Sequence, residues 1–232
     1  NVEPALRRTL EDLQLDWLDL YLIHWPVAID PTVGFPSSAS EVLPPSPERL
    51  RATWEGMEAA LDAGLTRHIG VSNFSVRKLQ DLMQHARIKP EVNQVELHPL
   101  LQQPDLLAFC RAEGIHLTAY SPLGSGDRPA QLKAADEPVL LENPVIAAIA
   151  AEHGCSAAQV LLAWHLCRGV STIPKSVRSA RLRENLAAAS LELSAAELER
   201  IAALDQGVRL VDGSFWLMEG SPWTLQSLWD EP

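Results

Sequence analysis

The sequence predicts an α/β fold built on a parallel sheet with helical crossovers, and three observations predict it. Short apolar runs alternate with longer amphipathic ones along most of the chain. The apolar runs are near-continuous, as in Ile115-His116-Leu117-Thr118-Ala119, which suits strands buried on both faces. The segments between them are long enough for helices, which parallel neighbours need as crossovers and hairpins do not.

Residues 2–15 read as a helix, apolar at Ala5, Leu6, Leu10, Leu13 and Leu15. The first strand, 18–23, reads as buried and runs into His24-Trp25-Pro26. Pro26 has no N–H for a ladder, so the strand stops there and His24 falls at its C-terminal end. Four more strands are expected over 68–71, 92–97, 115–119 and 170–173. Helices are expected over 46–63, 76–86, 104–113, 145–153, 157–166, 180–189 and 195–204. Ser46-Pro47 is a helix start with Pro at its first position, and Ser194 with Glu197 forms a capping box. Gly64, Gly114 and Gly154 sit where helices should stop. Three segments break the rhythm: 28–47, rich in Pro and Ser; 124–143; and the tail 207–232, which carries Trp216, Trp223 and Trp229. Long loops on such a scaffold shape active sites or decorate the surface.

The length of 232 residues allows one large domain or two small ones. A formal charge of −11 argues against nucleic acid or an anionic membrane as a partner, since both select basic surfaces. No apolar run is long enough to span a bilayer and no signal peptide is visible. The three cysteines, Cys110, Cys155 and Cys167, have no paired spacing and read as reduced thiols of a cytoplasmic protein.

The informative residues lie at strand ends, where open and barrel-shaped α/β enzymes keep their chemistry. His24 is open to two readings, a satisfied core histidine or a group that faces a substrate. Ser72 and Asn73 end the second strand, and taken alone Asn73 reads as the N-cap of the following helix. Asn93, Gln94 and Glu96 are polar inside an apolar strand, which means either a lined ligand site or a structural hydrogen-bond network. Tyr120 offers a flat stacking face, and Ser121 with Gly124-Ser125-Gly126 offers close backbone approach to phosphates. Lys175, Ser176 and Arg181 cluster near a helix start, the makings of an anion site in an acidic protein. Trp25, Phe35, Trp54 and the tail tryptophans are candidates for an apolar pocket, with some expected in the core.

These motifs, from Asp19 to Pro26, Gly70 to Phe74, Asn93 to Pro99, Ala119 to Gly124, and Ile173 to Ser176 with Arg181, Glu184 and Asn185, resemble those of the aldo-keto reductases. They stand in that family's order, and the aldose/aldehyde reductase branch is most similar. The resemblance implies a (β/α)8 TIM barrel that reduces aldehydes or ketones with NADPH, NADH being less favoured. It implies His24 as the active-site histidine and Trp25 as a wall of the substrate pocket. It implies Ser72, Asn73 and Gln94 on the nicotinamide carboxamide and Tyr120 stacked on the ring. It implies Ser121, Leu123, Ser125 and Asp127 over the pyrophosphate. Lys175, Ser176 and Arg181 match the grip on the 2′-phosphate, and Glu184 and Asn185 match the adenine contacts; Arg178 departs from the family pattern and either adds a third cation or only caps solvent. No metal is implied, and the partner is a small carbonyl compound.

The sequence also departs from that pattern. Five strands are read where the barrel has eight. The family's Asp, proton-donating Tyr and Lys precede the His24 strand and find no match here; Tyr21 lies within the strand and Tyr120 is assigned to stacking. The chain also starts with Asn1 rather than Met. The expectation is therefore a partial barrel, strands 4–8 over residues 1–206 with a specificity tail over 207–232 of the same domain. It is expected to be inactive alone, and active and monomeric when complete. The competing expectations are a non-catalytic NADPH-binding barrel and a metal-dependent hydrolase using His24 and His98; the latter lacks a His-x-His pair.

Overall fold

A computed structural model describes residues 2–126, 128, 129, 133 and 137–231. Five strands form a parallel sheet whose hydrogen-bonded order follows the chain: β1 (Leu18–Ile23), β2 (Thr66–Ser72), β3 (Val92–Glu96), β4 (His116–Tyr120) and β5 (Ser171–Thr172). β1 and β2 are in register with Leu18 opposite Thr66 and Ile23 opposite Val71; β4 and β5 pair Thr118 with Ser171. Residue contacts divide the chain into two compact units. The first comprises Asn1–Asn93, Ala108–His116 and Asp212–Pro232, the second Gln94–Leu107 and Leu117–Val211.

In the first unit, helix α1 (Val2–Leu13) buries Leu6 and Leu10, one turn apart, with Ala60 and Leu65. Gln14 then turns left-handed at φ 56°, which ends the helix and leaves Leu13 and Leu15 exposed, against the expectation that they share its buried face. Helix α2 (Pro47–Asp62) starts as the sequence indicates, with Ser46 Oγ accepting from Arg49 N. Gly70 lets β2 close on its neighbour: a Cβ there would stand 2.5 Å from Val92 O. β1 is half-buried rather than buried, with Asp19 exposed; it is the first strand of the sheet, and among the described residues it pairs with β2 alone.

Helix α3 (Val76–Met83) follows β2, and its N-cap is Ser75, whose Oγ accepts from Lys78 N; Asn73 is not the cap. Asn73 instead adopts a left-handed backbone, φ 64°, a conformation that Asn takes more readily than most non-glycine residues. Helix α4 (Pro104–Glu113) contributes Cys110 to this unit, fully buried.

In the second unit, helices α5 (Pro144–His153) and α6 (Ala157–Cys167) bury Ile146, Ile149 and the run Val160–His165. Their junction is Gly154, left-handed at φ 62°, followed by the Ser156–Gln159 capping box. β5 is two residues long where four were expected: Pro174 cannot donate, and Ile173 N, bonded to Ala119 O, closes the ladder. Helices α7 (Ser179–Ala187) and α8 (Ala195–Ala202) follow, the second with the Ser194–Glu197 capping box read from the sequence. The tail is more ordered than its weak periodicity suggests, with a 3-10 turn at Ser214–Trp216 and a short helix α9 (Leu225–Trp229) in the first unit. Among the described residues no single helix is long and apolar enough to cross a membrane.

Candidate functional site

The ends of β1 and β2 carry the first group of candidate residues. His24 is exposed at the C-terminal end of β1, so the core alternative does not hold. Its backbone carbonyl accepts a 2.9 Å hydrogen bond from Asn73 Nδ2, which also donates to Ser72 Oγ at 3.2 Å. Ser72 and Asn73 are buried, 3% and 1% exposed, so the amide is fixed by its surroundings.

Trp25 is enclosed by rings. Its centroid lies 5.4 Å from Phe215, 6.0 Å from Trp216 and 5.7 Å from Trp229, each close to edge-on, and 6.4 Å from His24. Phe35, which is exposed, sits 5.5 Å from Trp216. Gly213, left-handed at φ 80°, lets the tail approach: a Cβ there would stand 3.3 Å from the Trp25 ring. Trp229 Nε1 donates to Asp212 O at 2.7 Å, and Trp223 Nε1 to Leu43 O at 2.8 Å. Beside this cluster lies a cavity of about 500 Å³ walled by Trp25, Val27, Ile29, Leu43 and Trp223, with Arg49 on its lining. Trp54 is not part of it: it is core, 2% exposed, and its Nε1 donates to Ile88 O. Phe215 and Asp212 lie in the segment expected as a specificity tail, but packing alone singles them out within it.

Of the polar residues of β3, Asn93 and Glu96 fall to the structural reading left open above. Asn93 is structural: its amide donates to Phe74 O at 2.8 Å, and its Oδ1 accepts from Phe74 N. Glu96 is structural too, fully buried in the second unit. Its Oε1 accepts from Leu210 N and pairs with His98 Nε2, and its Oε2 accepts from Val211 N, all at 2.8 Å. His98 is thereby committed to Glu96. Gln94 is half-buried at the start of the second unit.

The second group lies in the second unit, where a cavity of about 430 Å³ opens beside the ends of β4 and β5. Ser121, Leu123, Ser125, Lys175, Ser176, Arg178 and Arg181 all line it. Ser121 is held left-handed at φ 49°, which turns the chain at the end of β4. Arg178 is the N-cap of α7 and its N–H donates to Ser176 Oγ at 3.2 Å. Three cations and the first turn of a helix thus border one cavity. Tyr120 sits at the end of β4, and burial, reinforced by the Glu96 carboxylate, pushes its hydroxyl well above the usual tyrosine value. That hydroxyl is neutral at any physiological pH. Glu184 and Asn185 are half-buried on α7, outside the lining of this cavity. Asp127 lies outside the described residues. Among the described residues no three His, Cys, Asp or Glu side chains gather as a metal-binding group.

Comparison with known proteins identifies the family. Residues 1–206 match the aldo/keto reductase family. An aldo/keto reductase of Synechocystis sp. is 61% identical over 230 residues, 99% of this chain and 70% of the relative. Aldo-keto reductase family 1 member A1 of Rattus norvegicus is 47% identical over 187 residues, and that of Homo sapiens 46%; in both cases the match covers 80% of this chain. The chain thus spans 57% of the length of those mammalian relatives. With its parallel sheet and a family match over nearly all of its length, the chain belongs to the aldo/keto reductase family.

Proposed function

We propose that the protein reduces small aldehydes or ketones to alcohols with NADPH. In this reading its five strands belong to a (β/α)8 barrel over residues 1–206, and 207–232 form the specificity tail of the same domain. The observation that carries the reading is the cavity beside β4 and β5. Lys175, Arg178 and Arg181, the hydroxyls of Ser121, Ser125 and Ser176, and the N-terminus of α7 suit a polyphosphate ligand in a chain of net charge −11. When bound, NADPH supplies the hydride for the carbonyl.

The chain's own residues take the remaining tasks. Lys175, Ser176 and Arg181 grip the 2′-phosphate, and Ser121, Leu123, Ser125 and Asp127 cover the pyrophosphate. Glu184 and Asn185 hold the adenine. Tyr120 stacks on the nicotinamide, which its neutral hydroxyl permits without a buried charge. Ser72, Asn73 and Gln94 fix the carboxamide, His24 orients the carbonyl oxygen, and Trp25 walls the substrate pocket. The three cysteines are free, which suits a cytoplasmic enzyme.

Neither tyrosine of this chain suits proton donation. Burial raises the Tyr21 hydroxyl pKa within β1, and burial raises that of Tyr120 further. With no residue here matching the family's proton-donating Tyr, turnover by residues 1–232 alone is expected to be absent. That same observation favours a second reading, an NADPH-binding barrel without catalysis. Tryptophan-fluorescence titration with NADPH, followed by NADPH consumption on adding an aldehyde to the intact protein, separates the two. Binding with turnover supports the reductase, binding without turnover supports the second reading, and no NADPH binding refutes both.

A further inference from the structure

The tail of the first unit ends in a clasp on α3. Asp230, which caps α9, is left-handed at φ 56°, and its Oδ2 faces α3. It accepts from Lys78 Nζ at 2.6 Å and from Ser75 Oγ at 2.5 Å. Lys78 Nζ also donates to Ser227 O at 2.9 Å, so the ammonium holds two points of the tail. The two charged side chains are only 13% and 18% exposed, unlike the surface pair Arg7–Glu3 at 58% and 51%. A shielded pair with supporting hydrogen bonds is much less weakened by solvent and salt than an exposed one.

The clasp sits one residue beyond Trp229, whose indole is pinned to Asp212 O and whose ring meets Trp25 edge-on at 5.7 Å. On the other side it is anchored two residues beyond Asn73, which holds the His24 carbonyl. One short loop, 72–75, therefore fixes both the histidine and the aromatic tail.

We propose that the Ser75–Lys78–Asp230 clasp sets Trp229 against Trp25 and so determines how large an apolar carbonyl compound the site accepts. This rests on the reading that His24 and Trp25 face the carbonyl substrate. Lys78 and Asp230 are positioning residues, acting through Trp229 and Trp25.

The test compares Asp230→Asn, Lys78→Met and the charge swap Lys78→Asp/Asp230→Lys in the intact protein. Amide exchange at Leu228 and Asp230, which bond to Thr224 O and Gln226 O, reports the tail directly. Each single variant is expected to speed that exchange by roughly tenfold, as local opening becomes easier. The KM for a bulky aromatic aldehyde should rise by roughly fivefold, with kcat and the NADPH Kd within about twofold, the pattern of a lost binding contact. The charge swap should recover part of both effects. Wild-type exchange rates in both single variants would overturn the clasp. Faster exchange with an unchanged aldehyde KM would overturn its role in specificity. Absence of aldehyde turnover in the unmodified intact protein would defeat the reductase reading and with it the specificity role, while the exchange rates still decide the clasp.

Discussion

Asn73 Nδ2 lies 2.9 Å from the backbone carbonyl oxygen of His24, so a buried amide at the end of β2 holds the end of β1. Forty-nine residues separate the two in sequence. The bond holds the backbone of an exposed histidine, and Asn73 makes it from a left-handed backbone.

Replacing Asn73 therefore has two separable costs. Asn73→Gly keeps access to the left-handed conformation and loses the amide, which should destabilise by about 1 kcal/mol for the lost hydrogen bond to a part-buried carbonyl. Asn73→Ala loses the amide and adds roughly 1 kcal/mol of backbone strain. Urea unfolding of both variants checks the ordering; equal stability of Ala and Gly at this position would contradict the strain argument.

Lys175 borders the cationic cavity with Arg178 and Arg181. Lys175→Ala should weaken NADPH binding by about 1–3 kcal/mol, the range for a charge-assisted hydrogen bond, and NADH binding much less. Titration of each cofactor at two salt concentrations is the measurement. An equal loss for both cofactors would remove Lys175 from the 2′-phosphate.

Cys110 is fully buried, and burial pushes its thiol up to about 12 although its hydrogen bond with Asn93 opposes the shift. In the unfolded chain the thiol titrates near 9. Between these values the native protein keeps a proton that the unfolded chain has lost, so this residue's contribution to stability is full below pH 9 and declines as pH rises toward 12. Cys110→Ala should flatten the alkaline limb of the stability profile measured by urea unfolding. Thiol labelling of the native protein should reach the exposed Cys167 first and leave Cys110 untouched.

Gly70 has no room for a side chain. A Cβ would meet Val92 O at 2.5 Å, and backbone of a paired strand cannot yield cheaply. Gly70→Ala should destabilise by about 1–3 kcal/mol or more. Gly34, with nothing within 4 Å of an added Cβ, is the control, and Gly34→Ala should stay within about 0.5 kcal/mol. Denaturation midpoints of the two variants decide it.

The sequence by itself determined the alternation of strands and helices, the caps at Ser46 and Ser194, and the positions of His24 and Tyr120 at strand ends. Those features are local: a proline without an N–H, a capping hydroxyl and an apolar period act within a few residues. Five motifs in one order were also enough to point to the family. Tertiary structure decided what depends on distant partners. It assigned Asn93 and Glu96 to structural bonds with Phe74, Leu210 and Val211, and left His24 exposed. It put Trp54 in the core while gathering Phe215, Trp216 and Trp229 around Trp25. The tail has too little periodicity to announce its turn and helix, and Asp230 meets Lys78 across 152 positions of sequence. A side chain's role there follows from which groups folding brings within a few ångströms of it, and residue type and spacing do not encode that distance.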